Sequence, residues 1–97
     1  MDMSCVENTL DIFEKKFSLY VVMAVKENPG STKTEILRLD KGNEKTKFFR
    51  INELIAEGII VVNDERKKYN EMRLYLTPKG QEIAIHLEKI QQIVTKN

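Results

Sequence analysis

The stretch that decides the fold is "LIAEGIIVVNDERKKYNEMRLYLTPKG", residues 54–80. It opens as the end of a helix, with Gly58 standing where a helix C-terminus wants a left-handed residue. Two short runs rich in β-branched or alternating residues follow, "IIVVND" and "MRLYLT". The polar loop between them contains Asn70, so the pair predicts an antiparallel hairpin. In the second run Met72, Leu74 and Leu76 share one face, and Arg73, Tyr75 and Thr77 share the other, which predicts one core face and one open face. Thr77 then suits the N-cap of a last helix whose first turn accepts Pro78. The loop carries three consecutive cations, Arg66, Lys67 and Lys68, at the expected tip of the hairpin.

Upstream of this stretch, "EKTKFFRINELIAEG" places Phe48, Ile51 and Ile55 on one helical stripe with Leu54 beside it. Before it, Thr32 and Glu35 have the spacing of a capping box and are followed by Ile36, Leu37 and Leu39, until Gly42 and Asn43 break the run. Two helices joined by about four residues form a helix-turn-helix arrangement. Further upstream, a helical run from about Ser18 carries Tyr20, Val21, Ala24 and Val25 inward and stops at "ENPG", because Pro29 disfavours helical geometry at Asn28. At the start of the chain Ser4 and Glu7 again have capping-box spacing, and Val6, Leu10, Phe13 and Phe17 fall on one face of a first helix. The sequence leaves open whether these first two runs form one helix or two. Downstream of Gly80, Ile83, Leu87, Ile90 and Val94 repeat with heptad spacing, and Ile93 widens the stripe.

Ninety-seven residues build one modest core, so a single domain over 1–97 is expected. Hydrophobic residues at 41% and charged residues at 32% place the chain among folded globular sequences. The longest apolar run, "LYVVMAV" at 19–25, is far below the ~20 residues that span a bilayer. The first ten residues lack the positive end and apolar stretch of a signal peptide. Neither Cys5, the only cysteine, nor His86, the only histidine, has metal-type ligands near it in sequence, so no metal or cofactor is expected. Cys5 reads as a small buried hydrophobe in a reducing, cytoplasmic protein, and His86 as a partly exposed helix residue. There is no glycine-rich phosphate loop and no paired acid and base, which disfavours an enzyme.

The order helix, helix, helix-turn-helix, hairpin, helix is α+β and mainly α. Three stretches, "ENPGSTKTEIL", "INELIAEGII" and "MRLYLTPKGQEIA", resemble the matching parts of MarR-like and ArsR-like regulators and of small winged-helix proteins from archaea and their viruses. The resemblance covers roughly residues 18–85. It implies a winged helix-turn-helix with a two-stranded wing, an N-terminal helix over 4–16, a core over 18–79 and a C-terminal helix over 78–95. It also implies a regulator of transcription that binds double-stranded DNA, with the helix at about 43–57 in the major groove and the wing at 65–71 on the backbone.

With Phe48, Ile51 and Ile55 inward, helical geometry sends Lys45, Thr46, Phe49, Arg50 and Glu53 outward. Arginine reads guanine bidentately, threonine and phenylalanine meet a thymine methyl, and lysine serves phosphate or guanine. Lys47 stands where the family usually has a small or β-branched apolar residue. Phe48 is expected to take over that packing and to leave Lys47 with the outward cations. Arg66, Lys67 and Lys68 would hold phosphates without reading sequence, with Arg73 on the open face behind them. The net charge of +1 conceals a mild polarity, because Ser31 to Lys79 holds 11 cations against 8 carboxylates. A solvated helix face and a merely polar hairpin tip are the plainer alternatives. The terminal stripes, Val6, Leu10 and Phe13 with Ile83, Leu87, Ile90 and Val94, either pair two chains as a homodimer or pack on each other within one chain. A winged-helix module that binds protein without binding DNA, and a ligand-sensing repressor, are the alternative functions, and the residues identify no small-molecule effector.

Overall fold

A computed structural model of the protein describes residues 11–65 and 71–96. The described chain opens with a helical segment at 11–14, α1, and continues through α2 (Ser18–Glu27), β1 (Ser31–Thr32), α3 (Lys33–Arg38), α4 (Glu44–Ala56), β2 (Ile60–Glu65), β3 (Glu71–Leu76) and α5 (Pro78–Thr95). The amino-terminal capping box, Val6, Leu10 and Cys5 lie outside the described residues, as do Arg66, Lys67 and Lys68.

The first two helical runs are separate. Phe17 adopts a left-handed conformation (φ 71°), a geometry that bulky residues seldom take, and ends the stripe expected to continue from Phe13. The buried Ser18 hydroxyl donates to the Ile12 carbonyl at 2.5 Å and fastens the corner. α2 then runs inward through Val21, Val22 and Val25, all fully buried. It stops where "ENPG" predicts, with the Asn28 backbone and side-chain amides both donating to the Ala24 carbonyl.

Gly30 turns the chain in the left-handed region (φ 84°), and its N–H donates to the Leu74 carbonyl at 2.9 Å. That contact starts a strand the sequence did not announce. β1, only two residues long, pairs antiparallel with β3, Ser31 opposite Leu74 and Thr32 opposite Arg73. The sheet therefore has three strands in the order β1-β3-β2, not the two expected. Two residues are too few to show alternation, which is why only tertiary pairing reveals the strand.

Thr32 ends β1 and caps α3. Its hydroxyl accepts from Glu35 N–H, and the Glu35 carboxylate accepts from Thr32 N–H at 2.9 Å, so the expected capping box is complete. α4 closes with a Schellman turn: Ile59 N–H donates to the Leu54 carbonyl and Gly58 N–H to that of Ile55, with Gly58 at φ 77°. Leu54 and Ile59 are both buried, supplying the apolar contact that accompanies this turn.

β2 and β3 pair from Ile60 opposite Leu76 to Glu65 opposite Glu71. Leu74 is fully buried and Leu76 half-buried, but Met72, expected on the same core face, is 49% exposed. The hairpin outruns the small core, and Met72 lies on the part beyond its edge.

The run "LTPKG" joins the sheet to α5 through one residue. The Thr77 hydroxyl donates to the Gly58 carbonyl at 2.7 Å and accepts from Gly80 N–H at 3.0 Å, while Pro78 fills the first turn. Gly80 is required by space, since a Cβ there would lie 2.2 Å from the Ile59 carbonyl oxygen. Ala84, Ile83 and Leu87 pack α5 on the core, and Lys26 pairs with Glu88 at 2.9 Å between α2 and α5.

Candidate nucleic-acid interface

α3 and α4 meet across residues 39–43, where Gly42 and Asn43 both take positive φ and turn the chain sharply into α4. The rotation of α4 about its axis differs from the expected one. Its buried side chains are Lys47, Ile51 and Leu54, at i, i+4 and i+7. Phe48, expected inward, is 40% exposed, and Ile55 is half-buried.

Lys47 is therefore no surface cation: it is 1% exposed. Its ammonium donates to the Asp40 carbonyl at 2.7 Å, lies 4.0 Å from the Asp40 carboxylate, and sits 4.9 Å and 5.3 Å from the ring centroids of Tyr20 and Phe17. The aliphatic stem fills the core while the charged end finds a carbonyl and two π faces, an arrangement open to a long amphipathic side chain. This explains both the left-handed Phe17 corner, which brings a ring to the ammonium, and the departure from the apolar residue expected at this position. Burial and the Asp40 charge also raise the Tyr20 phenol above its ordinary value.

Arg50, expected to face outward, turns back onto the protein. Its Nε donates to the Lys16 carbonyl at 3.0 Å, and its guanidinium pairs with Glu53. The same carboxylate holds Lys15 at 2.5 Å, so Glu53 ties α4 to the corner between α1 and α2. The face that remains outward is a ridge of Lys45, Phe49, Asn52 and Ala56, at i, i+4, i+7 and i+11. Lys45, Phe49 and Ala56 are exposed, Asn52 is half-buried, and Thr46 is half-buried at the ridge's side. Phe48 and Phe49 meet edge to face with centroids 6.5 Å apart. Lys33, from the first turn of α3, stands 5.2 Å from the Phe48 ring and donates to Asn52 Oδ1 at 2.8 Å.

Asn52 and Ala56 are absent from the expected outward face because hydropathy places Phe48, and not Lys47, in the core. The stripe 47, 51, 54 has the same helical spacing, but a lysine is rarely fully buried, so composition argues against it.

No protein-family model and no curated protein sequence matches the chain. Among solved structures, the chain is similar to a MarR protein from Peptoclostridium difficile, with a TM-score of 0.73 and 19% identity over 97% of this chain and 65% of that one. It is also similar to SSV1 F-93, with a TM-score of 0.58 and 27% identity over 78% of this chain and 90% of that one. A third similar structure is Streptococcus pneumoniae FabT in complex with DNA, with a TM-score of 0.63 and 16% identity over 95% of this chain and 72% of that one. The chain has a MarR-like winged-helix fold. It spans about two thirds of the length of the MarR protein it matches.

In winged-helix terms, α3 and α4 are the two helices of the motif and the β2–β3 hairpin is the wing. Arg66, Lys67 and Lys68, expected at the tip of the wing, lie outside the described residues. Arg73, midway along β3 opposite Asn63, donates to the Gly30 carbonyl at 2.8 Å and is half-buried, so it fastens the turn before β1 to the sheet. Of the expected interface residues on the terminal helices, Phe13, Ile83 and Leu87 pack against this chain's own core. Ile90 and Val94 are exposed, and Ile93 beside them is 72% exposed. His86 is exposed on α5, and among the described residues no cluster of His, Cys, Asp or Glu could hold a metal ion. No helix among the described residues is long and apolar enough to cross a membrane.

Proposed function

We propose that this protein is a cytoplasmic, sequence-specific regulator of transcription that binds double-stranded DNA, with α4 in the major groove and the wing along the backbone. The observation that carries the reading is the outward ridge of α4, Lys45, Phe49, Asn52 and Ala56, presented by the two-helix motif beside a hairpin whose connecting residues include Arg66, Lys67 and Lys68. A helix of this length fits the major groove, and three adjacent cations attract phosphates whatever the base sequence. FabT, which shares the fold, has been solved in complex with DNA. The assignment keeps Lys45, Thr46 and Phe49 as contacts and withdraws Lys47, which is buried.

The protein acts as a homodimer in this reading. The exposed Ile90, Ile93 and Val94 continue the apolar stripe of α5 past the point where the chain's own core ends, and Ile90 and Val94 border a groove of about 620 Å³ between α2 and α5. Two winged domains so joined would meet half-sites about one helical turn apart. Ile93→Glu combined with Val94→Glu then gives a monomer by sedimentation, whereas an unchanged mass would reject this interface.

Fluorescence anisotropy of labelled duplexes across a salt series tests the DNA reading. Contacts to roughly six to eight phosphates in a dimer give a log–log slope of about −5 to −7. A second reading, a winged-helix module that binds protein, draws support from the exposed Phe48 and Phe49. It predicts no duplex binding even at low salt.

A further inference from the structure

We propose that α4 reads A·T base pairs, through thymine methyl groups and an adenine edge, and that guanine is not its target. The inference rests on the DNA-binding reading above and names the class of duplex that this surface fits. Guanine in the major groove is read by the bidentate fork of arginine or by lysine. Two of the three cations on α4 are withdrawn from that task. Lys47 is buried beneath Tyr20 and Phe17, and Arg50 is bent back to the Lys16 carbonyl and Glu53. Lys45 remains, in the first turn of the ridge, where a point charge serves a phosphate.

The middle of the ridge is apolar. Phe49 is 51% exposed at its centre, Ala56 follows two turns later, and Phe48 flanks it. A shallow hollow of about 440 Å³ lies beside the Phe49 ring, bordered by Asn52 and Ala56 and by the mutually paired Arg50 and Glu53. Thymine alone among the bases offers a methyl group in the major groove, so apolar side chains there discriminate in its favour. Lys33 sits against the Phe48 ring, and that ring meets Phe49 edge to face, so the aromatic pair is held in place from α3.

Asn52 completes the complement. Its Oδ1 accepts from Lys33 at 2.8 Å with one lone pair and keeps the second for an adenine N6 amino group, while Nδ2 donates to N7. Lys33 thereby fixes which way the amide points. Glu53, which could accept from cytosine N4, is already engaged by Lys15 and Arg50.

The test is selection from a pool of random-sequence duplexes, followed by synthesis of the enriched duplex with thymine or with uracil, which differ only in the methyl group. Enriched half-sites centred on A·T pairs are expected. Each thymine-to-uracil exchange against α4 should weaken wild-type binding about fourfold, the effect of one buried methyl group. Phe49→Ala should bind the two duplexes alike, Phe49→Leu should keep part of the difference, and Arg50→Ala should keep all of it. Half-sites built on guanine, or equal wild-type affinity for thymine and uracil duplexes, would overturn the inference and leave DNA binding intact. If no duplex is enriched from the pool, DNA binding itself falls and this inference with it.

Discussion

The ammonium group of Lys47 lies 4.9 Å from the centre of the Tyr20 ring while donating to the Asp40 carbonyl at 2.7 Å. One side chain thus joins α4, the turn that precedes it and the start of α2. Replacing Lys47 with alanine removes that stem from the core and leaves the Asp40 carbonyl without its donor, so a loss of about 2–4 kcal/mol is expected in urea unfolding. Lys47→Met keeps the packed volume and loses only the donor to the Asp40 carbonyl, so it should cost less than Lys47→Ala, about 1–2 kcal/mol. Because the cation is buried, Lys47→Met should also leave the salt slope of duplex binding unchanged.

Arg50 makes a separate prediction. Its contacts with the Lys16 carbonyl and Glu53 hold α4 against the α1–α2 corner. Arg50→Ala should destabilise the fold by about 1–2 kcal/mol, the usual cost of a charge-assisted hydrogen bond on a partly buried group. Differential scanning calorimetry measures this. An unchanged Tm would show that the guanidinium is not engaged with the protein.

Gly80 is constrained by the Ile59 carbonyl, which a Cβ would approach to 2.2 Å. Backbone must shift to admit even alanine, and α5 would separate from the end of α4. Gly80→Ala should therefore cost about 2 kcal/mol or more in chemical denaturation, in the range of overpacked sites. Thr77→Ala, which removes the cap at the same junction, should cost about 1 kcal/mol.

The capping box of α3 makes stability pH-dependent. The Thr32 backbone N–H, and then its hydroxyl, hold the Glu35 carboxyl below the usual range. A folded pKa below the unfolded one means that the contribution is present above the unfolded value of about 4.3 and is lost as pH falls through the folded value. Wild type should exceed Glu35→Gln in stability at neutral pH, and the gap should close in acid. A gap that stays constant across that range would assign the difference to something other than ionisation.

Much of this architecture is written in local signals. The Thr32–Glu35 box, the breaks at Pro29 and Gly58, and the Thr77–Pro78 start of α5 each depend on residues within one turn of each other, so spacing alone reveals them. The functional face was less legible. Its rotation depends on whether Lys47 or Phe48 enters the core, and that choice is made by Phe17 and Tyr20, which are distant in sequence, together with Asp40 in the turn before α4. Hydropathy favours Phe48, and three-dimensional contact favours Lys47. The inward turn of Arg50 is hidden for the same reason, because the Lys16 carbonyl reaches Arg50 only once α1 and α2 have parted at Phe17.

The central claim is that the α4 ridge and the wing together form the surface that meets the duplex. Titrating isotope-labelled protein with a short duplex at low salt and following backbone amide resonances tests this most directly. The predicted result is perturbation centred on Lys45, Phe49, Asn52 and Ala56 and on residues 66–68, with the exposed end of α5 at Ile90–Val94 unaffected. Resonances on α4 and in residues 66–68 that stay fixed while the duplex binds elsewhere, or no perturbation at all, would contradict it.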